Sequence, residues 1–329
     1  MPAIARPRVI VTRQLPDATE ARMDELFEVA PPVAARPPDR AGLAALLADA
    51  DVLVPTIVDP VDAALIAAAG PRLRLIANFG AGVDHIDLQA ARARGIIVTN
   101  TPGVLTEDAA DMAMALILAV PRRLAEGERL VRSGDWRGWG PTAMLGRRVS
   151  GKRLGILGMG RIGQAIAMRA RGFGMAIHYH NRRRLPDVVE RAVAATFHAD
   201  LDDMLTEIDV LSINCPHNPE THHLIDARRL ELLGRHGYLI NIARGEIVDE
   251  PALVDALAAG GIAGAGLDVF EHEPAVDPRL LALPNVVLLP HMASATEEAR
   301  AATGEKVIAN IRMWADGHRP PDQVLEGWA

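Results

Sequence analysis

The chain has 329 residues, 49% of them apolar and only 3% aromatic, with a formal net charge of −7 at pH 7. That length is long for one core and predicts two domains, packed mainly from Ala, Leu, Val and Ile. The negative balance argues against a nucleic-acid surface, and the single cysteine, Cys215, excludes an intrachain disulfide and suits a reducing cytoplasm.

The first hundred residues alternate short apolar runs with helical segments. Strands are expected at 8–12, 52–55, 73–77 and 96–99, and helices at 18–29, 41–48, 63–69 and 88–94. Pro31, Pro32, Pro37 and Pro38 mark loops, while Gly70-Pro71 and Gly95 end helices. Such alternation implies a parallel sheet with helices on both faces. Asn100-Thr101-Pro102-Gly103 then breaks the pattern.

An apolar helix over 107–120 is expected to cross to a second domain. It is too short to span a membrane and begins with Glu107, Asp108 and Asp111. With no signal pattern at the N-terminus, a soluble cytoplasmic protein is expected. An amphipathic helix over 124–132 leads into a polar, glycine-rich stretch, 133–148, which carries Trp136 and Trp139. Isolated loops give tryptophan little to pack on. The pair suggests an interface or an active-site wall, or else a cover over a helix end.

Residues 152–181 organise the second half. Arg153 to Leu157 reads as a buried parallel strand, Gln164 to Arg171 as a helix and Met175 to Tyr179 as a second strand. Between strand and helix stands Gly158-Met159-Gly160-Arg161-Ile162-Gly163, a G-x-G-x-x-G in the strand–turn–helix context that gives it meaning. The first glycine allows the tight turn. The second lets a pyrophosphate approach the backbone, and the third lets helix and strand pack closely. The competing reading is a packing turn in another α/β domain.

Dinucleotide-binding folds that take NAD usually end the second strand in Asp or Glu, which accepts from the ribose 2′-OH. Here Asn181 is followed by Arg182, Arg183 and Arg184. Guanidinium groups suit a 2′-phosphate, so NADP(H) is expected to be preferred, with NAD(H) possible. A solvated charge run is the alternative.

Further on, helices are expected at 201–206, 227–233, 251–259 and 296–314, and strands at 210–214, 238–242, 263–269 and 286–289. The fold class is therefore α/β, with two doubly wound parallel-sheet, Rossmann-like domains and a cleft between them. Residues 1–100 and 291–329 would form a substrate domain, and 101–290 the dinucleotide domain.

Arg244, Glu273 and His291 each lie just beyond the carboxyl end of an expected strand, where doubly wound sheets place their ligands. Together they suit reduction of a 2-keto acid. A guanidinium can clamp a carboxylate or carbonyl. An imidazole can deliver a proton to the carbonyl oxygen as hydride arrives at carbon, and a carboxylate can hold the other ring N–H and fix its tautomer. Singly, each also reads as an ordinary surface or loop residue.

Other constellations are weaker. His178 and His180 share a strand face, but no third ligand is evident, and burial in the sheet is expected. His222 and His223 should point apart. Ser150-Gly151-Lys152 lacks the upstream glycine of a phosphate-binding loop.

The chain resembles the D-isomer-specific 2-hydroxyacid dehydrogenase family, in its glyoxylate/hydroxypyruvate reductase branch. The resemblance rests on Asn78 to Asp87, Asn100 to Pro102, Gly158 to Gly163, Asn241 to Gly245, Gly266 to Phe270 with Glu273-Pro274, and Pro290-His291 with Ser294 to Thr296. It implies catalytic roles for Arg244, Glu273 and His291, and substrate carboxylate binding by backbone N–H groups near Ala81 and Gly82. It further implies that Asp268 meets the nicotinamide carboxamide. Thr106, Cys215, Ile242, Ala243 and Ser294 would line the cofactor beside the glycine turn. Family members are homodimers, and Trp139 best matches a tryptophan that reaches the partner's active site.

Three departures stand out. Asp111 replaces a usual Glu, Phe79 adds bulk to the substrate loop, and position 293 is Ala where many relatives have Gly. The expected activity is NADPH-preferring reduction of glyoxylate or hydroxypyruvate in the cleft. The alternatives are another acid, such as D-lactate or phosphite, or a non-enzymatic dinucleotide-sensing regulator on the same fold.

Overall fold

A computed structural model describes residues 6–30 and 39–325. The prolines at 31, 32, 37 and 38 lie outside the described residues. The chain divides into two compact units, residues 1–105 with 295–329, and residues 106–294.

The first unit runs β1 (Arg8–Val11), α1 (Asp17–Leu26), β2 (Glu28–Val29), α2 (Arg40–Leu47), β3 (Val52–Val54), α3 (Ala63–Ala68), β4 (Leu75–Ala77), α4 (Leu88–Ala93) and β5 (Ile97–Thr99). Its sheet has the order β2-β1-β3-β4-β5, all parallel. Helix starts are set by side-chain caps. Asp62 and Asp87 each accept an N–H three residues on, replacing a bond the first turn lacks. The C-terminal helix, Glu297–Ala315, sends Val307, Ile311 and Trp314 into a core with Val9, Met23 and Val52.

The helix expected over 18–29 stops at Leu26. Phe27 turns extended and Glu28–Val29 pair with Arg8–Val9 as an edge strand. Sheet pairing overrides the helical propensity of a segment only two residues long. Phe79 is also placed differently from the expectation. It extends β4 by a bridge to Thr56 and is buried in the unit's own core, so its bulk is core volume.

The second unit runs α5 (Thr106–Ala119), α6 (Leu124–Arg132), β6 (Arg153–Leu157), α7 (Arg161–Gly172), β7 (Ala176–His180), α8 (Asp187–Val193), β8 (Ala195–Phe197), α9 (Leu201–Glu207) and β9 (Val210–Ile213). It continues with α10 (Ala227–Leu233), β10 (Tyr238–Asn241), α11 (Glu250–Ala258), β11 (Gly264–Leu267), α12 (Pro278–Ala282) and β12 (Val286–Leu288). The seven strands are ordered β12-β11-β10-β9-β6-β7-β8, all parallel. Strand order reverses between β6 and β9, and the crevice at that reversal is where such sheets bind ligands.

α5 buries Ala109, Ala113, Leu116 and Ile117 in this unit, and its first turn is clamped to α7. The Arg169 guanidinium reaches Glu107 at 2.7 Å and Asp111 at 2.6 Å, so the shorter Asp111 still makes an ion pair.

Besides β2, the elements α8, β8 and α12 were not expected from the sequence. Pro186 opens α8, and Asp277 caps α12 over Pro278, signals masked by the surrounding charge. β8 is three residues at the sheet edge, too short to show alternation. The second unit also extends to Ser294, past the boundary expected at 290. The His291 N–H donates to the Asp268 carbonyl at 2.8 Å, and the Met292 and Ala293 N–H groups donate to the Asp268 carboxylate, both at 2.8 Å. These bonds tie residues 291–293 to the end of β11.

Candidate active site

The glycine turn lies at the reversal of strand order. Gly158 has a φ of +95°, a region that favours glycine, and a Cβ there would stand 2.6 Å from the Cys215 backbone nitrogen at the end of β9. A Cβ on Gly163 would stand 2.4 Å from the Gly158 carbonyl oxygen. Both positions are fixed by the protein's own packing. Gly160 is not, since a Cβ there would meet no atom within 4 Å. Glycine at that position suits a group approaching the turn from outside the chain. No side chain caps α7, in contrast to the Asp-capped helices, so Arg161 and Ile162 open the helix with donors suited to phosphate. The residues present therefore fit a dinucleotide pyrophosphate.

The walls follow from the neighbouring strand ends. Cys215 lies two residues past β9, and Ile242 and Ala243 follow β10. Burial against the unit's core pushes the Cys215 thiol up to about 12, so it stays protonated. Thr106 and Ser294 are half-buried and stand at the two ends of this unit's chain.

Asn181 follows β7, and its side-chain oxygen accepts the Met159 N–H at 2.7 Å, fastening the strand end to the glycine turn. Its amide nitrogen is thereby left as a donor, which matches an acceptor such as phosphate. Arg182 and Arg183 are exposed, and Arg182 makes only a surface pair with Glu220 at 3.4 Å. Arg184 is committed elsewhere. It makes two bonds to Glu190, at 2.9 and 2.7 Å, and lies over the Phe197 ring. The run of three arginines thus resolves into two that can meet a ligand and one that braces α8.

Arg244, Glu273 and His291, the candidate acid–base group, lie past the ends of β10, β11 and β12. His291 Nδ1 is 2.8 Å from Glu273 Oε2, and Glu273 Oε1 accepts the Phe270 N–H at 3.0 Å. Burial acts to raise the Glu273 pKa. The His291 hydrogen bond and charge, the Phe270 N–H and the Arg244 charge outweigh it, and the carboxyl sits below its ordinary value. Those interactions bring Arg244, Glu273 and His291 within one electrostatic neighbourhood. Arg244 also donates from Nη1 to the Ala243 carbonyl at 2.7 Å, while Asn241 Nδ2 donates to the Arg244 carbonyl at 2.8 Å. Next to it, a Cβ on Gly245 would overlap the Phe270 backbone at 1.9 Å. The Arg–Gly pair is therefore set by the close passage of the chain that carries Glu273.

His291 has a φ of +52°, uncommon for a residue with a side chain. The three bonds to Asp268 hold it there. Asp268 has no exposed surface, and burial raises its pKa against the two N–H groups that lower it. This bracing role was missed from the sequence, which suggested only a cofactor contact for Asp268. The signal was present as an acid at a strand end with no partner in its own segment.

In the first unit, the carbonyls of the 80–82 loop are held by side chains. Asn78 Nδ2 donates to Gly80 O at 3.0 Å and Gly82 O at 2.8 Å, and Asn100 Nδ2 donates to Ala81 O at 2.7 Å. Because each peptide is planar and trans, the Ala81 and Gly82 N–H groups point away from those side chains.

Two further expectations change. His222 and His223 do not point apart. Their rings stack with centroids 4.1 Å apart, because His223 has a φ of +48° and breaks strand-like alternation. His178 is not simply buried, since His198 and Glu207 meet it. Trp139 is 86% exposed and Trp136 is exposed too, so neither covers a helix end.

The profile of the family described as D-isomer specific 2-hydroxyacid dehydrogenase, NAD binding domain, matches residues 114–293. A glyoxylate reductase of Thermococcus litoralis is 45% identical over 323 residues, 97% of each chain. Among solved structures, an NADPH-dependent glyoxylate/hydroxypyruvate reductase of Sinorhizobium meliloti, in complex with NADP and malonate, matches at 40% identity. Its TM-score is 0.88, covering 98% of this chain and 97% of that one. A glyoxylate reductase of Paecilomyes thermophila matches with a TM-score of 0.87 at 33% identity over 99% of both chains. The chain belongs to the D-isomer-specific 2-hydroxyacid dehydrogenase family, in its glyoxylate reductase branch, and is an oxidoreductase that uses a nicotinamide dinucleotide.

Proposed function

We propose that this enzyme reduces a small 2-keto acid, glyoxylate or hydroxypyruvate, to the D-2-hydroxy acid, with NADPH as the preferred cofactor. The observation that carries the reading is the Glu273–His291 pair, with Arg244 in its field. When bound, the reduced nicotinamide supplies hydride to the carbonyl carbon. Arg244 orients the keto acid through its planar fork of donors. His291 gives a proton to the carbonyl oxygen from Nε2, the ring nitrogen not turned to Glu273. Glu273 holds Nδ1–H and balances the positive ring. The Ala81 and Gly82 N–H groups are the proposed donors to the substrate carboxylate. The names of the Thermococcus and Sinorhizobium relatives support the substrate class.

A panel of glyoxylate, hydroxypyruvate, D-lactate and phosphite, followed by nicotinamide absorbance, tests this. Turnover should be fastest with one of the two keto acids, and His291→Gln should lower it by about 10²–10⁴-fold with dinucleotide binding kept. Near-normal turnover in that variant would remove His291 from the mechanism.

The cofactor preference rests on Asn181, Arg182 and Arg183. No carboxylate stands at the strand end to repel a 2′-phosphate, and the Arg182–Glu220 pair is an exposed contact easily exchanged. NADPH should support higher kcat/KM than NADH, and replacing Arg182 and Arg183 by Ala should raise the KM for NADPH far more than that for NADH. Better turnover with NADH in the unaltered enzyme would contradict the assignment.

We also propose a homodimer formed through residues 124–145. α6 is amphipathic yet buries no residue, and Leu124, Val131, Trp136, Trp139 and Leu145 are exposed. A second copy covering that face would place Trp139 where it could reach the partner's site. Light scattering on the purified enzyme should give twice the chain mass, whereas a monomer would refute this.

A further inference from the structure

We propose that the second unit carries a metal site apart from the catalytic group, in which His178, His198 and Glu207 bind a divalent cation of the zinc class. His178 Nδ1 faces His198 Nε2 at 2.9 Å, and Glu207 Oε2 lies 3.9 Å from the same Nδ1. All three ligand atoms lie within 4.8 Å of one another. Two nitrogens on a tetrahedral zinc stand about 3.3 Å apart. The histidine pair would open by about half an ångström, and the carboxylate would close by about half an ångström on His178 and by up to about 1.5 Å on His198, within the reach of side-chain rotation at the exposed Glu207. Without metal, the two ring nitrogens must share one proton. A cation replaces that proton and takes a lone pair from each ring.

The surroundings are those of a built site. The rings meet at a tilt of 35° with centroids 5.1 Å apart, so their edges face each other. His198 is held from outside. Its backbone N–H donates to the Tyr179 carbonyl at 2.9 Å, and its backbone carbonyl lies 3.0 Å from His180 Nδ1. These bonds fix the backbone from which the His198 ring projects. Glu207 is the last residue of α9, where the helix carbonyls add negative potential. The nearby Arg153 is neutralised by Asp209 at 3.1 Å. Two imidazoles and one carboxylate favour zinc, cobalt or nickel over magnesium or calcium, with water in the remaining position. The cation would join β7, the segment after β8 and the end of α9, securing the short edge strand.

The test uses the full-length enzyme after chelator treatment, titrated with Co²⁺ and then displaced by Zn²⁺. One equivalent should give the visible absorption of a four-coordinate cobalt site, and Zn²⁺ should raise the melting temperature. His198→Asn should abolish both effects. Glu207→Gln, at a side chain 56% exposed and so tolerant of change, should weaken binding by at least about tenfold with turnover kept. His222→Asn controls for the separate cluster of His217, His222 and His223 and should change nothing. Absence of saturable binding, or binding that survives both His198→Asn and Glu207→Gln, would overturn the proposal.

Discussion

A carboxylate with no exposed surface stands at the end of β11, and both its oxygens accept backbone N–H groups from the residues that follow His291, the proposed proton donor. Hydrogen bonds to a charged group are worth about 1.5–3 kcal/mol each. A left-handed backbone at a residue with a side chain costs about 1–2 kcal/mol. The two Asp268 bonds therefore exceed the cost of the His291 conformation. With the backbone fixed there, His291 Nδ1 meets Glu273 Oε2 at 2.8 Å, which leaves Nε2 as the nitrogen not bonded to Glu273. The proposed proton transfer would depend on that alignment, and the alignment depends on Asp268.

The cofactor end follows a different constraint, close packing of backbone. Gly158 and Gly163 are required because Cys215 and the turn itself leave no room for a Cβ. Asn181 then fastens the end of β7 to the same turn. One short segment thus sets the phosphate approach and the position of the two arginines that follow. The reactive end is set by side-chain hydrogen bonds and the cofactor end by steric exclusion, so substitutions at the two ends should fail differently.

Much of this was legible in the sequence. Arg153–Leu157, Leu124–Arg132 and Ala227–Leu233 fall where periodicity and stop signals put them, because each is a strongly patterned segment. The positions of Arg244, Glu273 and His291 beyond strand ends were readable for the same reason. What was hidden depends on contacts between distant residues. Asp268 reaches Met292 and Ala293 across the sheet end, and its place at a strand end signals a distant partner without naming which residues supply it. Missing β8 meant that His198 and Glu207 could not be placed beside His178, so the third ligand went unseen. Arg184 looked like its two neighbours until Glu190, on an unexpected helix, claimed it.

The central claim is that Glu273 selects one tautomer of His291 and leaves Nε2 to exchange the proton. Nitrogen NMR of the labelled imidazole, at a pH where the ring is neutral, reads this directly. The account predicts a protonated Nδ1 and a bare Nε2. A proton resident on Nε2, or one averaged between the two nitrogens, would contradict it.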